Sequence, residues 1–291
     1  MIKQRYSKSG STVKFPPEFK KSENTEALEW LKIAYDDLQH DLNKKVKWSY
    51  ILLLGSMSIE AFRIRVAQSH LRADMLPSYW SDCGFLLIDG NQFDNPTFFH
   101  LPLLQPSNNA YAPMRNGLIE LKLNDLLKDS WKIFPNIALL AIPVAQDDIV
   151  EALKKFRESH IAYDAVENII PWLAYVWGVG DAANPLRQQI GLPSAMLLNQ
   201  LYGSCNFDLS PNVNNNLSTP EVFWSAVKYW CDFYQNTTKN NEALKVRYIV
   251  EHKYSIDEGP KISSVLCPLK ASSESNLTIS NNILPRDLDP V

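Results

Sequence analysis

Apolar residues at Leu28, Leu31, Tyr35, Leu38 and Leu42 recur every three or four positions, which predicts one stripe along a helix of about five turns, with Asn24-Thr25 as its cap. Glu29, Lys32, Asp36 and Asp37 fall on the opposite, solvated face. The period then changes. Trp48–Gly55 is a short, continuous apolar run ended by glycine and reads as a buried strand. Ser58 is placed to cap a helix running to about Leu71, with Ile59, Phe62 and Val66 inward and Arg63, Arg65 and Arg72 outward on a solvated face, a small basic patch being the alternative. A second strand covers Ser81–Ile88 and closes on the turn signal Asp89-Gly90-Asn91. The extended segment Phe98–Leu104 contains Pro102, which predicts an edge or an interruption. Gly117–Leu123 and Ile137–Pro143 predict two more strands around a short helix near Leu126.

Helices dominate the second half. Asp147–Glu158 carries Ile149, Leu153 and Phe156 on one face, and Ala165–Trp177 is more apolar and interrupted by Pro171. A loop from Gly178 to Pro193 leads into Ser194–Tyr202, and Thr219–Tyr234 is a last helix with Pro220 in its first turn. Val246–Val250 predicts a short strand. The expected organisation is a polar arm over 1–24, a helix within 25–47, an α+β domain over 48–235, and a strand with a polar tail over 236–291. Its core is a small, mostly antiparallel sheet packed with helices.

Composition narrows the function classes. The 291 residues are 45% hydrophobic and 21% charged, as in globular chains, and the net charge of −3 gives no basic field for nucleic acid. No apolar run reaches the 18 or so residues of a membrane span, and the basic start lacks the apolar stretch of a secretory signal, so a cytoplasmic location is expected. Cys83, Cys205, Cys231 and Cys267 form no C-x-x-C pair and are expected as free, mostly buried thiols. The sequons at Asn216, Asn236 and Asn276 are then chance matches. His40, His70, His100, His160 and His252 are scattered, so no metal site is expected, and no cofactor motif is present. Gly178-Val179-Gly180-Asp181 lacks the third glycine of a dinucleotide loop. Eight Trp, twelve Tyr and twelve Phe imply a core of large side chains, with some available for a protein interface.

One order of segments carries more information than any short motif. The strand Trp80-Ser81-Asp82-Cys83-Gly84-Phe85-Leu86-Leu87-Ile88 comes first, then Ile137–Pro143 before a helix. The loop-to-helix junction Gly191-Leu192-Pro193-Ser194-Ala195-Met196-Leu197-Leu198 follows, with Cys205–Pro211 behind it. This order resembles the circularly permuted papain-like hydrolases, the group of permuted NlpC-type peptidases and lecithin:retinol acyltransferase-like enzymes, over about residues 48–235. The resemblance implies a histidine at the start of the first strand and a cysteine opening the late helix. Here those places hold Asp82 and Ser194 (Pro193 is the neighbouring alternative for the second).

Papain-like catalysis needs a thiolate stabilised by a helix N-terminus and a nearby imidazolium. An aspartate, with a reference pKa of about 3.9, supplies neither a strong base nor a positive partner. Losing members of a hydrolase triad costs roughly 10⁴–10⁶ in rate. The expectation is therefore a degenerate, non-catalytic domain acting as a binding or assembly subunit with protein partners. The alternative is an amide or ester hydrolase or acyltransferase with Ser194, or a cysteine it replaces, as nucleophile. His100, where the resemblance implies the orienting polar group, would then serve as base. Cys83 alternates to the strand face opposite Asp82, and Cys205 lies about three turns beyond Ser194; both are expected in the core.

Overall fold

The computed structural model describes residues 18–19, 25–90, 93–103, 117–127, 133–158, 168–211, 217–235 and 244–251. Six strands form one antiparallel sheet: β1 (Ser49–Gly55), β2 (Asp82–Leu87), β3 (Thr97–His100), β4 (Ile119–Lys122), β5 (Asn136–Ile142) and β6 (Lys245–Val250). Their order across the sheet is β4-β3-β2-β1-β5-β6. Every residue of the adjacent internal strands β1 and β5 is buried, which explains why both read as unbroken apolar runs: the sheet is covered on both faces.

Alternation along each strand sorts the core into two halves. Leu52, Leu54, Leu86, Phe98, Ile137 and Leu139 pack with α1 (Ala27–Asp41) and the short α3 (Leu123–Leu127). Ile51, Leu53, Cys83, Phe85, Phe99 and Leu140 point the other way. There they meet α2 (Ile59–Ala67), α4 (Gln146–Glu158), α5 (Ile170–Trp177), α6 (Pro193–Ser204) and α7 (Pro220–Gln235). The chain is thus an α+β protein, as its pattern predicts.

Several local expectations are corrected. The first helix starts at Ala27 after Glu26, which gives no side-chain cap. It belongs to the same body as the sheet, and so does β6, which pairs with β5. The domain therefore extends beyond 48–235 in both directions. Phe19, within the expected polar arm, donates its N–H to Tyr248 O (2.9 Å), accepts from Trp30 Nε1 (3.1 Å) and packs edge-on against the Trp30 ring. Of the two alternatives for the Pro102 segment, the structure shows the interruption and not the edge: β3 is an internal strand that ends at His100, before the proline is reached. Pro171 sits in the first turn of α5, directly after two π-helical residues at 168–169, so the helical path changes type at the proline, and Gly178 ends α5 in the left-handed conformation (φ 65°).

Ser58 caps α2 through the Ala61 N–H as expected, but Ile59 is exposed and Val66 only half-buried. The arginines do not form a surface patch. Arg65 is fully buried and donates Nε–H to Ser78 O (2.5 Å). Arg63 donates to the terminal carbonyls of α5 at Tyr175 and Val176. Arg72 lies between Asp74 and the buried Glu221. Helical spacing alone points these cations outward, because it says nothing about chain ends and carboxylates arriving from elsewhere.

Of the aromatics, Trp80, Trp172 and Trp224 fill the core, whereas Trp177 and Tyr229 are exposed. Among the described residues no helix is long and apolar enough to cross a membrane. His160, His252, Cys267, the three sequons and the polar tail lie outside the described residues.

Candidate functional site

The site forms where three chain ends meet: the exit of β1, the entry of β2 and the first turn of α6. Pairing of β1 with β2 sets Leu54 opposite Asp82, which brings Gly55-Ser56 beside Ser81. Ser81 N–H donates to Leu54 O (2.8 Å), and its hydroxyl accepts from Ser56 N–H (3.0 Å). Pro193 stands in the first turn of α6, where a missing N–H costs nothing, and the helix packs its start against β2. Asp82, His100 and Ser194 all line one cavity of about 250 Å³, together with Ser56, Ser58, Glu60 and apolar neighbours such as Leu103, Phe134 and Leu192.

The three candidates share the cavity but do not form one chain of hydrogen bonds. His100 Nδ1 lies 2.8 Å from Asp82 Oδ2, and Asp82 Oδ1 accepts from the Cys83 N–H (2.8 Å). With the carboxylate as acceptor, Nδ1 carries a hydrogen and donates it to Asp82. Nε2 is sealed from water and has no hydrogen-bond partner among the described residues. The His100 ring leans on Phe98 (centroids 4.7 Å), on the α1 side of the sheet.

Ser194 belongs to the other side. Ser194 is 1% exposed, and its hydroxyl is met by a thiol: Cys83 Sγ–H donates to Ser194 Oγ at 3.7 Å. Burial first, and then the adjacent Asp82 charge, push the Cys83 thiol well above its ordinary pKa. It is a neutral donor at pH 7, not a base and not a thiolate.

The side chain facing Ser194 across the strand–helix junction is therefore that of Cys83, not Asp82. Alternation along β2 already put residues 82 and 83 on opposite faces. What no sequence signal gave was the face on which α6 would pack. Cys205 ends α6, half-exposed and distant from its first turn, and its thiol is also pushed up by burial. Ser56, Ser58 and Glu60 were not anticipated as wall residues; the antiparallel register of β1 with β2, once assumed, would have brought them near Asp82. No group of three or more metal-ligating side chains occurs among the described residues.

Comparison with protein-family models, with curated proteins and with solved structures finds no match to this chain.

Proposed function

We propose that the protein is a non-catalytic relative of the permuted papain-like hydrolases that acts by binding, as a subunit docked to protein partners. The observation that carries this is the pairing at Ser194: a buried hydroxyl at a helix start faced by a neutral, buried thiol. Acyl transfer by serine requires a base within hydrogen-bond reach of the hydroxyl, and Cys83 cannot take its proton. The position of α6 after β1–β5, with Ser194 of its first turn against Cys83 of β2, supports the papain-like part of the reading. Free thiols at Cys83, Cys205 and Cys231 fit the reducing interior of a cell.

One observation favours a second reading. Asp82 accepts from His100 Nδ1, the arrangement that orients a general base, in the cavity that Ser194 also lines. A hydrolase would then use Ser194 as nucleophile and His100 as base, after a shift that brings Nε2 to the hydroxyl. The deciding experiment is labelling of the native protein with a broad fluorophosphonate, mapping of the adduct, and assay against amide and ester substrates. The binding reading expects no adduct at Ser194 and no turnover. Hydrolysis that disappears in Ser194→Ala would overturn it.

A further inference from the structure

A second and larger cavity, of about 910 Å³, opens on the α1 side of the sheet, where α1 ends and the chain turns into β1. Its size falls within the roughly 300–1,000 Å³ of small-molecule sites. Trp48 supplies an aromatic wall. Its indole Nε1–H is spent on Asn43 O (3.1 Å), and the half-buried ring packs in part against the core beneath α1. Trp48 therefore offers the cavity a fixed ring surface and not a donor, and Leu42, Val46 and Ile88 add apolar wall. Ile88 is itself held in place: the Gln146 amide accepts from its N–H (3.1 Å) and donates to its C=O (2.8 Å).

The polar wall mixes donors, acceptors and both signs of charge. Asp36 and Lys44 line it, and among the described residues neither side chain makes an ion pair or hydrogen bond. Tyr50, 6% exposed, accepts from Gln39 Nε2 (2.6 Å), and Tyr35, 4% exposed, stands edge-on to it (centroids 5.3 Å). A buried hydroxyl costs free energy unless it is bonded, and both tyrosines line this cavity. Helix α1 also ends open here. Its C-cap Leu42 closes no backbone hydrogen bond, and no N–H from beyond the helix reaches the last-turn carbonyls among the described residues.

We propose that this cavity binds a neutral saccharide of two or three rings. A pyranose has a face of C–H groups and an edge of hydroxyls that both donate and accept. The face suits the Trp48 ring with its apolar neighbours. The hydroxyls suit a wall where acceptors, Asp36 and the open end of α1, stand beside donors, Lys44 and the Asn43 amide. A phosphate or carboxylate ligand would meet Asp36 and the negative end of the α1 dipole. A cationic ligand would meet Lys44. The cavity lies across the sheet from Ser194, so the proposal goes beyond the binding reading above, and a fluorophosphonate adduct at Ser194 would overturn that reading without touching this one.

The test is an NMR titration of the isotope-labelled full chain with maltose, cellobiose, lactose and N,N′-diacetylchitobiose in turn, at constant ionic strength. Glucuronate, glucosamine and AMP serve as charged controls. At least one disaccharide should give saturable shifts at the Trp48 indole N–H and at the Gln39 and Asn43 side-chain amides, and none at Ser194. Trp48→Ala should weaken that binding roughly threefold to tenfold, and Trp48→Phe, which keeps a ring, should retain most of it. No saturable shift with any of the disaccharides, or shifts that map away from Trp48, would overturn the proposal. So would tighter binding of glucuronate, glucosamine or AMP than of the best disaccharide, or a Trp48→Ala protein that binds as tightly as the wild type.

Discussion

Replacing His100 by leucine should leave the fold almost as stable as before. The imidazole makes one hydrogen bond, 2.8 Å from Nδ1 to Asp82 Oδ2, and keeps Nε2 dry and unpaired. Removing the ring forfeits a charge-assisted hydrogen bond of roughly 1.5–3 kcal/mol. The Asp82 side chain is 23% exposed, so water recovers part of that loss, and the net falls to about 1–2 kcal/mol. Relief of the unsatisfied Nε2 returns about 1–3 kcal/mol. Leucine, of similar volume, keeps the contact with Phe98. The terms cancel to within about 1 kcal/mol, equivalent to roughly 2–4 °C in Tm for a domain of this size.

Asp82→Ala should behave differently. It takes the carboxylate from Nδ1 while Nε2 stays unpaired and costs about 2 kcal/mol, and most of that cost should vanish in the Asp82→Ala/His100→Leu double variant. Scanning calorimetry of the four proteins at pH 7 measures this. A fall of more than about 8 °C for His100→Leu alone, roughly twice the allowance above, would refute the reasoning. The imidazole would then be part of the scaffold and not a group retained at a cost to stability for the site.

Other consequences can be checked on the same protein. Arg72→Met strands the Glu221 carboxylate, which accepts from Ser78 Oγ and is 1% exposed. Breaking such a pair costs about 3–5 kcal/mol in urea unfolding at pH 7, and the cost should shrink in a Glu221→Gln background. Burial raises the Glu221 carboxyl above its ordinary value. Between the unfolded and the higher folded pKa the native state holds the extra proton, so wild-type stability should fall as pH rises through that window. The decline should be absent in Glu221→Gln. Gly84→Ala would place a Cβ 2.5 Å from Phe99 O and 2.6 Å from the Phe98 ring, and should cost at least about 2 kcal/mol of unfolding free energy. Iodoacetamide with mass mapping at pH 8 should modify the half-exposed Cys205 well before the buried Cys83 and Cys231, whose thiols burial also raises.

The elements follow from the local pattern of the chain. Apolar periodicity placed α1, α4 and α7, and unbroken apolar runs placed β1 and β5, because both strands are covered on both faces and need no polar alternation. The local pattern also put Asp82 and Cys83 on opposite faces of β2, a consequence of pleating alone. Only the tertiary structure decided which face α6 would cover, and so whether Ser194 meets residue 82 or residue 83. The same is true of Arg65 and Arg72: their backbone conformation is local, but Ser78 O and Glu221, which hold them in the core, arrive from other parts of the chain. The physical reason is one of range. Propensity and alternation act over a few residues, whereas the partner of a buried charge or hydroxyl is set by packing between segments as far apart as Cys83 and Ser194, 111 positions along the chain.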